Sequence, residues 1–155
     1  MKGNTKVITL LNELLADELT AVSQYMVHSE MCANWGYKKL HEAIEKRAID
    51  EMKHAEKLIG RILALEGQPV VSQLNKMGIG SNVEEQLKND CAAEEGAIKS
   101  YNDGIRLCSE LGDNGTRKLI DSNLQDEENH IDWLETQLDQ IRQMGLQNYL
   151  QAQAE

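Results

Sequence analysis

The feature that most constrains this fold is a set of acidic and histidine residues repeated at matched spacing in the two halves of the chain. Its members are Glu18, Glu51, His54, Glu94, Glu127 and His130. In each half a lone glutamate precedes a Glu-x-x-His pair by 33 residues, and a shift of 76 residues superimposes the first half on the second. Tyr25 and Asp50 also fall on Tyr101 and Asp126 under this shift. The pattern indicates two similar helical hairpins related by an approximate two-fold axis.

Four long stretches of helical periodicity carry these residues. Apolar side chains recur at steps of three, four or seven, which is typical of helices with one buried face. The predicted helices run from about Thr5 to Asn34, from Lys38 to Leu65, from a capping box at Ser81–Glu84 to Leu111, and from the end of a 112–115 turn to Met144. A single proline, Pro69, leaves room for helices of this length.

The connections between these stretches predict how the helices are arranged. Residues 35–37 and 112–115 are short glycine-containing turns, whereas residues 66–82 lack periodicity and form a long crossover that can include a short extended segment. Gly145 ends the fourth helix, and Leu146–Ala154 suits a short fifth helix. We therefore expect one all-α domain over residues 1–155, a ferritin-like four-helix bundle with a long crossover between helices 2 and 3.

Composition excludes several classes of protein. The formal net charge is −10, which disfavours nucleic-acid binding because phosphate neutralisation needs cations. The three cysteines, Cys32, Cys91 and Cys108, form no Cys-x-x-Cys motif, so neither a disulfide framework nor a zinc site is expected. The N-terminus has no apolar signal segment, and no apolar run has the length of a membrane span. These observations predict a soluble cytoplasmic protein.

The repeated glutamates and histidines interrupt the apolar stripes, so each helix points at least one carboxylate inward. Four converging buried carboxylates are strongly unfavourable unless cations compensate them. Two divalent ions balance the four carboxylates, and glutamate with histidine suits iron or manganese. A single Glu-x-x-His is more often an ordinary surface pair, but two in register favour a metal site. We expect Glu18 with His54, and Glu94 with His130, to be terminal ligands, while Glu51 and Glu127 bridge the ions.

Tyr25 lies two helical turns from Glu18 on the same face. Its hydroxyl is placed to bond a ligand carboxylate, and the ring is a candidate electron donor during metal oxidation. An ordinary buried tyrosine fits the same position equally well. Trp133 has the same two interpretations, of which core packing is the better one.

Three segments of this chain resemble bacterioferritins. They are AIDEMKHAEKLIGRILALEG, QDEENHIDWLETQLDQI and QMGLQNYLQAQ. The resemblance extends over essentially the whole chain. It implies iron storage in a homo-oligomeric shell of 24 subunits built from two-fold dimers. It also implies a ferroxidase site at the six repeated residues, which oxidises Fe(II) with O2 or H2O2.

A second apolar stripe on helix 2 places Met52 away from the bundle core. Its members are Ile49, Met52, Glu56, Ile59 and Leu63, and helix 1 has an outer stripe of Leu15, Leu19, Val22 and Met26. Periodicity alone favours packing against a second copy. The resemblance further implies that Met52 is the axial ligand of a haem b, or a related porphyrin, shared between two subunits. Such a haem would assist iron release with electrons from a ferredoxin-type reductant.

The chain departs from the family pattern just before this methionine. Bacterioferritins often have tyrosine and histidine where this chain has Glu45 and Lys46. A charged lysine cannot bind iron, so the accessory inner-surface site that this histidine forms with Asp50 is not expected here. His28 and His41 have no predicted partner and are interpreted as structural.

Three other functions are compatible with a metal-binding bundle. A rubrerythrin-like peroxidase is disfavoured because the cysteines cannot form a rubredoxin module. An oxygenase would need an open substrate pocket beside the metals. A DNA-shielding mini-ferritin forms a smaller shell with sites between subunits, whereas all six ligands here are predicted within one bundle.

Overall fold

Five α-helices form the molecule, and it contains no β-strand. The computed structural model describes residues 1–155. The helices are α1 (Thr5–Asn34), α2 (Lys38–Ala64), α3 (Val83–Glu110), α4 (Asn114–Met144) and α5 (Leu146–Gln153). The predicted all-α bundle with a long crossover and a short fifth helix is confirmed. Residues 65–82 contain no regular secondary structure, so the crossover adds no strand.

Side chains at the helix starts explain where the helices begin. The Asn82 side chain accepts a hydrogen bond of 2.9 Å from the Glu85 amide and caps α3. The Glu85 carboxylate reaches back to the Ser81 hydroxyl at 2.8 Å. The capping motif therefore lies one residue later than the predicted box at Ser81–Glu84, because the asparagine is the better-placed acceptor.

The fourth helix begins earlier than its sequence predicts. Asp113 accepts a hydrogen bond of 2.9 Å from the Thr116 amide, so Asn114 and Gly115 belong to α4 and not to a turn. The turn is instead centred on Gly112, whose φ of +73° is a left-handed conformation that favours glycine. Gly36 takes the same conformation, with φ of +85°, between α1 and α2.

Helix α1 packs mainly against α2, and α3 packs mainly against α4, so the bundle consists of two antiparallel hairpins. The buried apolar side chains form two separate clusters. One cluster includes Leu11, Leu58, Tyr101 and Ile120, near the end where α1 begins. The other includes Cys32, Ile44, Leu87, Leu134 and Tyr149, near the end where α3 begins. In each of the four helices, the repeated glutamates and histidines lie between the segments that supply the two clusters, and the resulting polar layer divides the core.

The crossover is held against α1 by three polar side chains spaced four residues apart. Thr20 Oγ1 accepts a hydrogen bond from the Asn75 amide at 2.8 Å. Gln24 Oε1 accepts one from the Gly78 amide at 2.9 Å, and His28 Nε2 accepts one from the Gly80 amide at 3.0 Å. Three successive helical turns therefore bind three amides of the same loop.

The outer apolar stripe is only partly exposed: Leu19, Val22 and Ile59 are half-buried, and Leu19 and Ile59 pack against the first core cluster. Met26 is 54% exposed, Ile49 42% and Met52 45%. Leu15 was predicted in this stripe, but it is fully buried in the first core cluster, so that assignment was wrong. A step of four from Leu11 keeps Leu15 on the same buried face as Leu11, in a cluster to which all four long helices contribute.

Two further features concern the cysteines and the apolar character of the helices. All three cysteines are free, and Cys32 and Cys108 are buried. No helix has both the length and the apolar character needed to cross a membrane.

Candidate metal centre

The six repeated residues lie together in the polar layer between the two core clusters, and all six are at most 2% exposed. Their ligand atoms form two overlapping groups. One group contains Glu18, Glu51, His54 and Glu127, and the other contains Glu51, Glu94, Glu127 and His130. Within each group the ligand atoms lie within 4.8 Å of one another. Two residues, Glu51 and Glu127, belong to both groups, as bridging ligands would.

Both imidazoles turn their Nδ1 atoms toward the carboxylates. His54 Nδ1 lies 2.8 Å from Glu127 and 3.6 Å from Glu18. His130 Nδ1 lies 2.9 Å from Glu51 and 3.5 Å from Glu94. Each histidine therefore approaches the bridging-position glutamate of the opposite hairpin most closely. The sequence did not indicate which ring nitrogen would face the centre.

The other nitrogen of each ring contacts an aspartate on the opposite hairpin. His54 Nε2 lies 2.8 Å from Asp126, and His130 Nε2 lies 3.2 Å from Asp50. A hydrogen donated from Nε2 to the aspartate leaves a lone pair on Nδ1, directed at the centre. This arrangement fixes the tautomer of a metal-binding histidine and raises its basicity.

These two aspartates were not predicted as part of the site. The signal was available, because Asp50 and Asp126 coincide under the 76-residue shift. Nothing in the sequence, however, indicated that each contacts the histidine of the other half. Asp50, which bacterioferritins are expected to use in an inner-surface metal site, therefore contacts His130 in this protein.

Two tyrosines hold the lone glutamates in the same crossed manner. The Tyr25 hydroxyl donates to Glu94, and the Tyr101 hydroxyl donates to Glu18 at 2.5 Å. The structure thus places Tyr25 beside a predicted ligand carboxylate. Tyr101 was assigned only to the core, although the repeat aligns it with Tyr25. Asn123 donates a further hydrogen bond of 3.2 Å to the Tyr101 hydroxyl.

Seven buried polar atoms of the six residues have no hydrogen-bond partner. They are Glu18 Oε2, Glu51 Oε1, His54 Nδ1, Glu94 Oε2, both Glu127 carboxylate oxygens and His130 Nδ1. The short separations between them lack hydrogen-bond geometry. Buried polar atoms are normally satisfied, so seven that converge on one space form a ligand set that could hold cations.

The ionisation of the metal-free centre follows from this crowding. Burial raises the pKa of Glu94 to about 8, and the neighbouring Glu127 adds to the shift. Burial and the Glu18 carboxylate raise the pKa of Glu51 well above its usual range. Burial also acts to raise the pKa of Glu127, but contacts with Glu94, His130 and His54 outweigh it and hold the pKa well below normal.

The histidines respond in the opposite direction to their burial. Burial favours the neutral ring, but contacts with Glu127, Glu51 and Glu94 outweigh it and raise the pKa of His130 to about 12. Contacts with Glu127, Glu18 and Glu51 likewise outweigh burial and raise the pKa of His54 far above its usual value. Protons on the two rings compensate the carboxylates when no metal is bound, so a metal ion must displace protons as it enters.

A cavity of about 230 Å³ connects the centre with the surface between α1, the crossover and α3. Asp17, Asn75 and Lys76 line its outer part, and four of the site glutamates line its inner part. The α3 wall consists largely of small residues, and a Cβ atom added to Gly96 would meet nothing within 4 Å. Small ions and molecules therefore have a path to the six residues.

The shallow depression around Met52 is a second feature of the predicted functional set. It has a volume of about 330 Å³ on the outer faces of α1 and α2. Its apolar lining is Val22, Met26, Ala48, Ile49 and Met52, and its polar lining is Ser29, Glu30 and Glu45. The Met52 thioether is thus part of an exposed apolar surface and lies outside the buried six-residue centre.

Comparison with known proteins agrees with this architecture. Residues 8–144 match the Ferritin family, described as a ferritin-like domain. The chain is 44% identical over 154 residues to a bacterioferritin of Brucella melitensis, covering 99% of this chain and 96% of that protein. It is 42% identical over 149 residues to a bacterioferritin of Rhodobacter capsulatus, covering 96% of this chain and 92% of that protein. A bacterioferritin of Mycolicibacterium paratuberculosis is also 42% identical over 149 residues, with 96% and 94% covered. The chain therefore belongs to the ferritin-like family and, within it, to the bacterioferritins.

Proposed function

We propose that this protein stores iron and oxidises Fe(II) to Fe(III) at the six-residue centre, with the whole chain, residues 1–155, acting as one di-iron domain. The observation that carries the proposal is the convergence of seven unpartnered buried polar atoms on two overlapping ligand groups. Four carboxylates and two imidazoles match two divalent ions in charge and in ligand type.

Each ion has one terminal carboxylate and one imidazole in this proposal. Glu18 and His54 hold one ion, Glu94 and His130 hold the other, and Glu51 and Glu127 bridge them. Carboxylates stabilise Fe(III) more than Fe(II) because the interaction grows with the charge of the ion. Two Fe(II) ions supply two electrons. With O2 as the oxidant, these electrons and two protons convert O2 to H2O2. With H2O2 as the oxidant, they and two protons convert it to two molecules of water.

Residues around the ligands have supporting roles. Asp126 and Asp50 orient the histidines through their Nε2 hydrogens, and Tyr101 and Tyr25 orient Glu18 and Glu94. Tyr25 is also a candidate electron donor, since its ring adjoins a ligand. Fe(II) enters by the cavity beside Asp17, whose carboxylate lies one residue before Glu18.

We further propose that the product is stored as a ferric mineral inside a homo-oligomeric shell of 24 subunits. The exposed apolar side chains Met26, Ile49 and Met52 support a two-fold contact. A contiguous apolar patch on a protein surface commonly marks a contact with a partner, and two-fold dimers are the commonest such contact. We expect a ferredoxin-type reductant to supply electrons for release of the iron.

Met52 is proposed as an axial ligand of a haem between two subunits. The residues fit a porphyrin in part, since a thioether projects from a shallow apolar surface formed with Val22, Met26 and Ile49. A haem held by two thioethers would supply electron transfer and not substrate binding. Glu30 and Glu45 line the same surface and would place negative charge beside such a haem.

The ferroxidase proposal is tested by loading the protein with Fe(II) without oxygen, admitting air, and following oxidation together with particle mass. We expect rapid oxidation well beyond two irons per chain in a large shell. Glu18→Ala or His130→Ala should slow the initial oxidation by about 100-fold or more while the shell remains assembled. Glu95→Ala is the matched control, because Glu95 is exposed beside Glu94. Unchanged kinetics in both site variants would refute the assignment.

The haem proposal has a separate test. Met52→Leu should abolish the haem absorption band without abolishing iron oxidation. Met144→Leu is the control, because Met144 is similarly exposed, at 43%, but lies at the end of α4. A full haem band in the Met52 variant would eliminate Met52 as the ligand.

A further inference from the structure

Three side chains outside the dinuclear centre form another group with metal-ligand character. Glu30 lies on α1, and His41 and Glu45 lie one turn apart on α2. One ligand atom from each lies within 4.8 Å of the other two. We propose that these residues form a separate mononuclear site for a divalent transition-metal ion such as Zn(II), Co(II) or Fe(II).

The orientation of His41 supports a ligand role. Its Nδ1 atom lies 2.9 Å from the Ser29 hydroxyl oxygen and 3.1 Å from the Ser29 carbonyl oxygen, so both contacts hold the ring through this nitrogen. The Ser29 hydroxyl also lies 3.1 Å from the His41 carbonyl oxygen. Nε2, on the other side of the ring, faces Glu45 instead. A backbone carbonyl that fixes the far nitrogen is a common feature of metal-binding histidines.

The free nitrogen faces a carboxylate at a distance that suits a shared ion. His41 Nε2 lies 3.6 Å from Glu45 Oε2. This separation is too long for a good hydrogen bond. Two ligand atoms about 2.1 Å from one tetrahedral ion lie about 3.4 Å apart, which is close to the observed separation.

The charge around the group is uncompensated. Neither Glu30 nor Glu45 forms an ion pair with a lysine or arginine, although Lys46 and Arg47 follow Glu45 directly. His41 is partly buried in the single subunit, with 24% of its side chain exposed, so the imidazole is held in place between the two helices. Glu30 and Glu45 are exposed in the single subunit. Two carboxylates and one imidazole suit zinc or iron, and water can complete the coordination.

This group is distinct from the six residues of the buried centre, and two of its members lie within the proposed subunit contact. Glu30 and Glu45 line the same depression as Met52. A bound cation would neutralise the two carboxylates at this surface, and would favour an apolar or anionic partner there. The proposed site does not depend on the dinuclear centre being a ferroxidase.

Metal counting with Co(II) tests the proposal. Metal-free wild-type protein, as its native assembly, is titrated without oxygen and the bound metal per chain is measured. We expect wild type to bind one more Co(II) per chain than His41→Asn or Glu45→Gln. Because the result is a difference of one ion, it remains valid whatever number the dinuclear centre takes up.

Two features of the design separate ligand loss from structural damage. Glu45→Gln leaves the contacts between His41 and Ser29 intact, so it serves as the milder variant. Glu42→Gln is the control, because Glu42 is an exposed neighbour outside the group and should retain the additional ion. An anomalous diffraction peak for Zn(II) between the three side chains provides direct confirmation. Equal metal content in wild type, His41→Asn and Glu45→Gln would overturn the proposal.

Discussion

The two helical hairpins carry equivalent glutamates and histidines, the proposed ligands, but have different surroundings. In α1–α2, the side chains of Thr20, Gln24 and His28 hold the crossover. The positions that correspond to them in α3 under the 76-residue shift are Gly96, Ser100 and Gly104, and they hold no loop. The comparison shows that symmetry is confined to the ligands and the residues that touch them. Beyond this layer, each hairpin has the residues that its own neighbours require.

The layer of residues that contacts the ligands is itself only approximately symmetric. Asp126 is 51% exposed and lies 2.8 Å from His54, whereas Asp50 is 29% exposed and lies 3.2 Å from His130. Tyr101 has Asn123 as a second partner, and Tyr25 bonds only Glu94. Residue 47, which corresponds to Asn123, is an arginine that stacks over Trp133 at 4.9 Å. These differences allow the hairpins to be perturbed separately.

The largest expected effect is a pH-dependent loss of stability in the metal-free protein. The hairpins also differ here, because the pKa of Glu51 is raised and that of its equivalent, Glu127, is lowered. Glu94, with a folded pKa of about 8 against 4.5, remains protonated in the folded state after the unfolded chain has ionised. The pKa of His130 is about 12 in the folded state against 6.5, so this ring also keeps its proton after the unfolded chain has lost it. The metal-free protein should therefore lose stability as pH rises from about 5 to 12.

The loss should reach several kcal/mol, since each pKa unit corresponds to about 1.4 kcal/mol. Denaturation midpoints measured with a chelator at several pH values would show it. Glu94→Gln should remove the contribution of Glu94, which falls between about pH 5 and 8. Metal loading should suppress most of the dependence of stability on pH. A stability that increased over this range would contradict the proposed protonation of the centre.

The next effect tests the loop attachment that only α1 has. His28→Ala removes the acceptor for the Gly80 amide and a hydrogen bond of 2.9 Å to the buried Asp90. We expect the free energy of unfolding to fall by about 3 kcal/mol, because buried groups lose partners and a cavity forms. Hydrogen exchange of the Gly80 amide should accelerate. Ser100→Ala on α3 is the matched control and should change stability by less than about 0.5 kcal/mol.

Replacing each aspartate with alanine separates the two metal positions. Asp126→Ala should weaken binding at the His54 position, and Asp50→Ala at the His130 position, each by about 10- to 100-fold. The effect of Asp126→Ala should be larger, since its contact is shorter. Metal titration of both variants would measure this, with Asp132→Ala as an exposed control on α4. If neither variant lost affinity, the aspartates would not orient the histidines.

The smallest effect concerns the two tyrosine hydroxyls. Tyr101→Phe leaves both Glu18 and Asn123 without a partner, whereas Tyr25→Phe affects only Glu94. We expect losses of stability of about 2 and about 1 kcal/mol respectively in the metal-loaded protein. Thermal unfolding of the two variants would show the order. A larger loss of stability for Tyr25→Phe than for Tyr101→Phe would mean that the hydrogen bond from Asn123 to Tyr101 contributes nothing.

Much of the fold was predictable because its signals are local. Periodicity, glycine turns and the single proline identified all five helices, with ends displaced by one or two residues where Asn82 and Asp113 act as caps. Leu15 shows the limit of this approach. A residue at the edge of an apolar stripe can face the core or the outer surface, and only the packing of the four helices determined that Leu15 is buried.

The sequence by itself determined which six polar residues face the inside of the bundle, because spacing along a helix dictates which side chains share a face. The tertiary structure decided how those residues are supported. Contacts between the hairpins selected Nδ1 as the inward nitrogen and paired each histidine with the other half's aspartate. They also placed each tyrosine beside the other half's glutamate, and brought Glu30 of α1 next to His41 of α2. Contacts between residues far apart in the chain depend on how the helices pack, which no local pattern encodes.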